Sequence, residues 1–359
     1  MSNYDEALER FQQVGLEYAG GLANHGPMGA EALERLGHQA KIPAFVDVYA
    51  PRLPPLERGR AIPREDWSEA LGRIERAPDW VTTFEALALD GDVGTLLRSE
   101  VPGLLPGLFA AAGHGLLRVV HGLRALEHED LPARRREVAH GLAYWAARYQ
   151  TLPGTPGTPG ATGTGTGIGK SLDEALEAWP LLGEADAREG YFFRVVERLD
   201  DWGDFAQAVE AAPLPSPDGV DAWLDTLCLR AAGLYVDHPE ARIAYVHALT
   251  IPSGLRILLP YLDAADRVAA CGYVLQAVGA LHSIFGASDG APEDDEEVVR
   301  VAGDWDETRY HAACSIQEHA IKMTEACWRE DRRSPDPVFQ RAGADAALKV
   351  GGRSDAPVC

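Results

Sequence analysis

The apolar residues of this 359-residue chain recur every three to four positions along most of its length, and no series of alternating segments joined by hairpin turns stands out. That rhythm matches the 3.6-residue turn of an amphipathic helix and argues against a sheet-built core. An all-α fold follows. Two helices are expected between Met1 and Leu36, separated by a turn at Asn24–Pro27. Further helices are expected over Gly103–Leu126, Leu131–Tyr149, Leu172–Trp179, Glu184–Val209, Asp218–Tyr235, Ala241–Tyr261, Asp263–Phe285 and Asp304–Arg329. Pro252 should break the Ala241–Tyr261 segment, because proline lacks the amide that an interior helical position donates. With 46% hydrophobic residues the chain can bury one large core, so residues 1–350 read as a single bundle-like domain. The Pro/Gly/Thr tract within residues 151–170 cannot bury a core and reads as a flexible loop. Gly286–Glu297 reads as a solvated acidic loop, and residues 351–359 as a disordered tail.

The formal net charge is -22. Such a surface repels phosphate backbones and anionic headgroups, which argues against nucleic-acid and membrane partners. The densest basic run, Arg134-Arg135-Arg136, sits among acids and reads as a solvated helix face. The five cysteines form no CxxC pair, a pattern suited to a reducing compartment. The N-terminus is polar and acidic, unlike a signal peptide, and no apolar run approaches the ~20 residues of a membrane span. These features together predict a cytoplasmic protein. They leave its oligomeric state open.

Several familiar motifs fail on inspection. Gly167, Gly169, Lys170 and Ser171 mimic the end of a P-loop, but Thr164 stands where the first glycine belongs and no strand precedes it. Asp200, Asp201 and Asp204 spell the DDxxD of class I terpenoid cyclases, where carboxylates on one helix face hold Mg²⁺ for a diphosphate. Gly203 inside the motif favours a plain acidic helix end. The companion asparagine motif has no match, since Asn3 and Asn24 are the only asparagines. This cyclase is the second reading; a non-catalytic helical protein is the third. No HExxH, GxSxG or EF-hand loop is present.

The histidines and one lysine carry more. His38, His128 and His238 lie in polar surroundings and read as surface residues, while His140, His282 and His311 read as core. His25 follows Asn24 in a Gly/Pro turn. His114 and His121 are seven apart, two helical turns, and share a strongly apolar face with Arg118. His247 sits in another apolar context. His319 and Lys322 are three apart and share one stripe. Lysine is rare here: Lys41, Lys170, Lys322 and Lys349 are the only four. A lysine inside an apolar helix can lose its proton, which arginine cannot, and a neutral amine can react with CO₂ to give an anionic carbamate. A salt bridge from Lys322 to Glu318 or Glu325 on the same helix is the plainer alternative. Tyr144, Trp145 and Phe192 fit either pocket walls or core.

Five segments resemble, in order and across nearly the whole chain, the questin oxidase-like family. They are Asn24-His25 with Glu31–Gly37, Gly113–Leu126, Gly141–Tyr149, His247–Thr250 and Glu318–Glu330. The last is the most specific. The family includes fungal enzymes of secondary metabolism that oxidise aromatic polyketides by Baeyer–Villiger-like or ring-cleaving dioxygenase chemistry. The resemblance implies a non-haem Fe(II) held by four histidines and a carboxylated lysine, with an aromatic substrate and O₂ as partners. By matching positions the metal ligands would be His25, His247, His319, Lys322 and His114, with His121 the alternative to His114. Some members are described as NADPH-dependent; no nucleotide motif in this sequence matches that.

Overall fold

A computed structural model of the chain describes residues 2–157, 171–183, 189–287 and 295–350. The loop expected at 151–170 and the acidic loop at 286–297 therefore lie largely outside the described residues, and the 351–359 tail wholly so. The helices are α1 (Asn3–Phe11), α2 (Gly26–Arg35), α3 (Ile42–Tyr49), α4 (Trp67–Ala70), α5 (Ala77–Asp90), α6 (Val93–Leu104), α7 (Ala110–His128), α8 (Pro132–Ala147) and α9 (Leu172–Glu177). They continue with α10 (Phe192–Val195), α11 (Gly203–Glu210), α12 (Val220–Asp237), α13 (Arg242–Leu258), α14 (Ala264–Phe285), α15 (Glu296–Ala302), α16 (Trp305–Ser315), α17 (Glu318–Arg333) and α18 (Pro337–Lys349). The all-α expectation holds.

The local differences from the sequence reading have identifiable causes. Two-residue strands, β1 (Glu17–Tyr18) and β2 (Leu22–Ala23), form an antiparallel hairpin where a helix was expected to continue. Ala19, Gly20 and Gly21 all take positive φ at its tip, which reverses the chain. Pro252 does not break α13: residues Ala244–Leu255 are buried without interruption, and that packing overrides one missing helical hydrogen bond. The expected Asp304–Arg329 helix is divided instead at Ile316, which is left-handed with φ 52°; Gln317 then caps α17 by accepting from the His319 amide at 2.8 Å. Arg134 is no solvated residue. It is 2% exposed and its Nε donates to Asp5 at 2.8 Å. The segment Pro239–Tyr261 and helix α14 do reach the length and hydropathy of membrane spans, but 72% and 83% of their apolar windows are buried against other helices.

Four helices frame the site. Helix α2 packs against α7 and α17, and α13 packs against the same two. Behind α7 lies α8, packed closely along it. A Cβ at Gly115 would stand 2.5 Å from the Trp145 Cα, and one at Gly141 would stand 2.6 Å from the Val119 backbone nitrogen. Neither backbone can yield. Gly141→Ala is therefore expected to destabilise the fold by about 2–3 kcal/mol in chemical denaturation, although alanine favours helix. A wild-type midpoint would show that the two helices can separate freely. The pair is also pinned by a fully buried double contact from Arg118 to Glu137, at 2.8 Å on both oxygens.

Candidate metal centre

His25 occupies the N-cap position of α2. Asn24 fixes that turn, donating to the Gly15 carbonyl at 3.0 Å and accepting from the Gly26 amide at 2.9 Å. The His25 amide donates to the Tyr49 hydroxyl at 2.9 Å. His114 begins the regular part of α7, His247 sits in the second turn of α13, and His319 sits in the first turn of α17. The four rings meet. Centroid separations are 4.4 Å for His25–His114, 4.6 Å for His25–His319, 4.6 Å for His114–His247 and 5.5 Å for His247–His319. One ring nitrogen each from His25, His114 and His319 lie within 4.8 Å of one another.

The ring orientations decide the chemistry. His25 Nδ1 faces the Ala23 carbonyl at 2.7 Å, and His114 Nδ1 faces the Ala111 carbonyl. A carbonyl only accepts, so each Nδ1 carries the proton and each Nε2 presents a lone pair. Those two Nε2 atoms stand 2.7 Å apart. Two lone pairs at that distance repel unless a cation lies between them or one ring takes a second proton. The second proton is disfavoured. Burial and then the nearby Lys322 hold His114 down at about 3, and the same two causes push His25 and His319 well below their ordinary range. For His247, burial comes first, followed by His114 and Lys322. Four neutral imidazoles thus converge, three of them buried and His319 partly so. A separation of 2.7 Å suits adjacent ligands on one ion with bonds of about 2.0–2.1 Å.

Lys322, 1% exposed, lies on the same stripe of α17 as His319, and its Nζ has no hydrogen-bond partner among the described residues. The proposed salt bridges to Glu318 and Glu325 do not form. Burial brings the amine down to about 7, against a smaller opposing pull from Glu318.

His121 is elsewhere. Two turns farther along α7 it bonds Glu31 at 2.7 Å, within a buried network that also holds Arg124 and Glu325. Burial alone would raise the Glu31 carboxyl, but Arg124 and His121 overcome that and keep it ionised. His121 is therefore already paired, and the structure places His114 with the other three rings instead. The same helices α2, α7 and α17 build both layers: His25, His114 and His319 in one, Glu31, His121 and Glu325 in the other.

A cavity of about 280 Å³ opens on the four rings. Ala23, Ala111, Ala112 and Phe192 line it close to them, while Leu22, Tyr191 and Ile243 stand at its exposed rim. Phe192 packs edge-on against His247 at 5.5 Å. Tyr144 and Trp145 are buried in the core and do not line the cavity. Among the remaining histidines, His140 is buried against Glu85 and His282 against Tyr245, while His311 is a half-buried residue near Glu307 and His238 is half-buried beside Tyr245. Asp200, Asp201 and Asp204 are all exposed, with Asp204 alone in α11, and they form no metal-holding group among the described residues. No protein-family model matches the chain, and no curated protein matches it significantly.

Proposed function

We propose that this protein is a metal-dependent oxygenase that oxidises an aromatic small molecule in the cavity above the four histidines. The observation that carries the reading is the pair of facing Nε2 lone pairs on His25 and His114, 2.7 Å apart in a site where neither ring readily takes a second proton. His25, His114, His247 and His319 would hold the ion, and the resemblance in sequence favours Fe(II). When bound, such an ion supplies a redox-active Lewis acid that activates O₂ and orients an oxygen of the substrate.

The chain's own residues supply the remainder. The Ala23 and Ala111 carbonyls hold two imidazoles in the Nδ1–H form, so that their lone pairs need no reorganisation. Phe192, Ala111 and Ala112 give an aromatic ring apolar walls and keep water away. Lys322 is proposed to complete the donor set. Its unprotonated amine attacks CO₂, forming an N–C bond and releasing one proton to solvent, and the resulting carbamate is an anionic oxygen donor. An anion is also favoured where the N-terminal ends of α2 and α17 point at one site.

Elemental analysis of protein purified without added metal is expected to find one divalent ion per chain. With a hydroxylated anthraquinone the loaded protein should take up O₂. Protein that is metal-free and takes up no Fe(II) anaerobically would overturn the proposal.

A further inference from the structure

Ala110-Ala111-Ala112-Gly113 should begin a right-handed helix, since alanine is the best helix former. Instead three consecutive residues are left-handed: Ala111 at φ 46°, ψ 51°, Ala112 at φ 59°, ψ 37° and Gly113 at φ 79°, ψ 6°. For an L-residue that conformation costs on the order of 1 kcal/mol. Glycine would relieve it at Ala111 and Ala112. The strain is held inside the protein, where Ala111 is 5% and Ala112 is 2% exposed.

The turn touches the site on three sides. The Ala111 carbonyl accepts from His114 Nδ1. In a right-handed helix that carbonyl would turn along the axis toward the amide four residues on. The Ala112 carbonyl lies against the His247 ring, although His247 Nδ1 makes no well-formed hydrogen bond. Gly113 lies against the Ile251 side chain of α13, one turn beyond His247; a Cβ there would stand 2.6 Å from the Ile251 Cδ1. Both alanines also line the cavity.

We infer that the Ala111-Ala112-Gly113 left-handed turn is a positioning element: it holds the His114 imidazole in the Nδ1–H form with Nε2 aimed at His25, and seats α13 so that His247 joins them. The sign of φ at Ala112 is what matters, more than the side chain. This goes beyond the proposed oxygenase activity, and only its metal arm rests on that reading.

The test compares the wild type with Ala112→Gly, which permits positive φ, Ala112→Pro, which forbids it, and Ala112→Val, which resists it. Two measurements are made on each: ¹⁵N histidine NMR of the metal-free protein, and Co(II) titration followed by visible absorption. Ala112→Gly should keep the His114 Nδ1–H form and bind Co(II) within about threefold of wild type. Ala112→Pro should lose that tautomer and bind roughly 10–100-fold more weakly. Should Ala112→Pro not fold, Ala112→Val decides, with a change in the same direction expected. A folded Ala112→Pro or Ala112→Val protein with the wild-type tautomer and wild-type Co(II) affinity would overturn the inference. Were the wild type to bind no Co(II), the metal reading would fall and the tautomer measurement alone would judge the turn: retained in Ala112→Gly and lost in Ala112→Pro supports it, unchanged in both overturns it.

Discussion

His114→Ala is expected to lower the divalent metal retained by the purified protein at least about tenfold, whereas His121→Ala should leave it unchanged and destabilise the fold instead. The two residues are seven apart on one helix face and flanked by apolar neighbours in the sequence, yet their partners differ. His114 presents Nε2 to His25, and its removal takes away one of the two facing lone pairs. His121 bonds Glu31, which is fully buried. Without His121, Glu31 keeps Arg124 but loses one hydrogen bond in a region water does not reach, a change of about 1–3 kcal/mol. Metal analysis and chemical denaturation of the two variants read these effects separately. Loss of metal in His121→Ala with retention in His114→Ala would reverse the assignment and remove His114 from the site.

That contrast also marks where a sequence stops being informative. Seven-residue spacing puts His114 and His121 on one face, but it cannot say which turn of α7 stands level with His25. The answer lies in the register between α2 and α7. A signal for it was present in Glu31, six residues beyond His25 as Glu325 is six beyond His319. Acids at matching offsets on two helices mark a second polar layer, into which His121 falls. The helices themselves were legible because their apolar stripes are long and regular. The interruptions were not. Ile316 carries no glycine or proline signature, and Gly113 does not announce that the two alanines before it are left-handed as well; tertiary packing imposes it. Pro252 failed in the opposite sense, as a local breaker that burial overrides. The scarcity of lysine pointed to Lys322, and its amine, without a hydrogen-bond partner among the described residues, is what the plainer salt-bridge reading did not anticipate. The Ala23 and Ala111 carbonyls, which set the imidazole tautomers, are backbone atoms and leave no trace in residue identity.

Lys322→Met should act in opposite directions on stability and on metal binding. The amine is buried, has no hydrogen-bond partner among the described residues and is held at about 7, against an ordinary value of 10.5. Below pH 7 both the folded and the unfolded chain carry the proton, so the folded state bears the whole penalty of a buried ammonium, up to roughly 4–5 kcal/mol. Between pH 7 and 10.5 the unfolded chain binds more protons than the folded one, and the stability of the metal-free protein should rise with pH across that window. Methionine has similar length and no charge, so Lys322→Met should unfold at a higher temperature than wild type at pH 6 and lose the rise between pH 7 and 10.5. Both proteins should still weaken as acid protonates the four imidazoles below their ordinary value of 6.5, since each is lowered in the folded state. That acid limb should be shallower in Lys322→Met, because Lys322 is, after burial, the next cause of the lowering at His25, His114 and His319. For metal the sign reverses: methionine cannot form a carbamate, so Fe(II) affinity should fall, and added bicarbonate should strengthen Fe(II) binding in the wild type and not in the variant. A Lys322→Met protein that is no more stable at pH 6 and holds Fe(II) as well as wild type would show that the amine is solvated in solution and takes no part in the site.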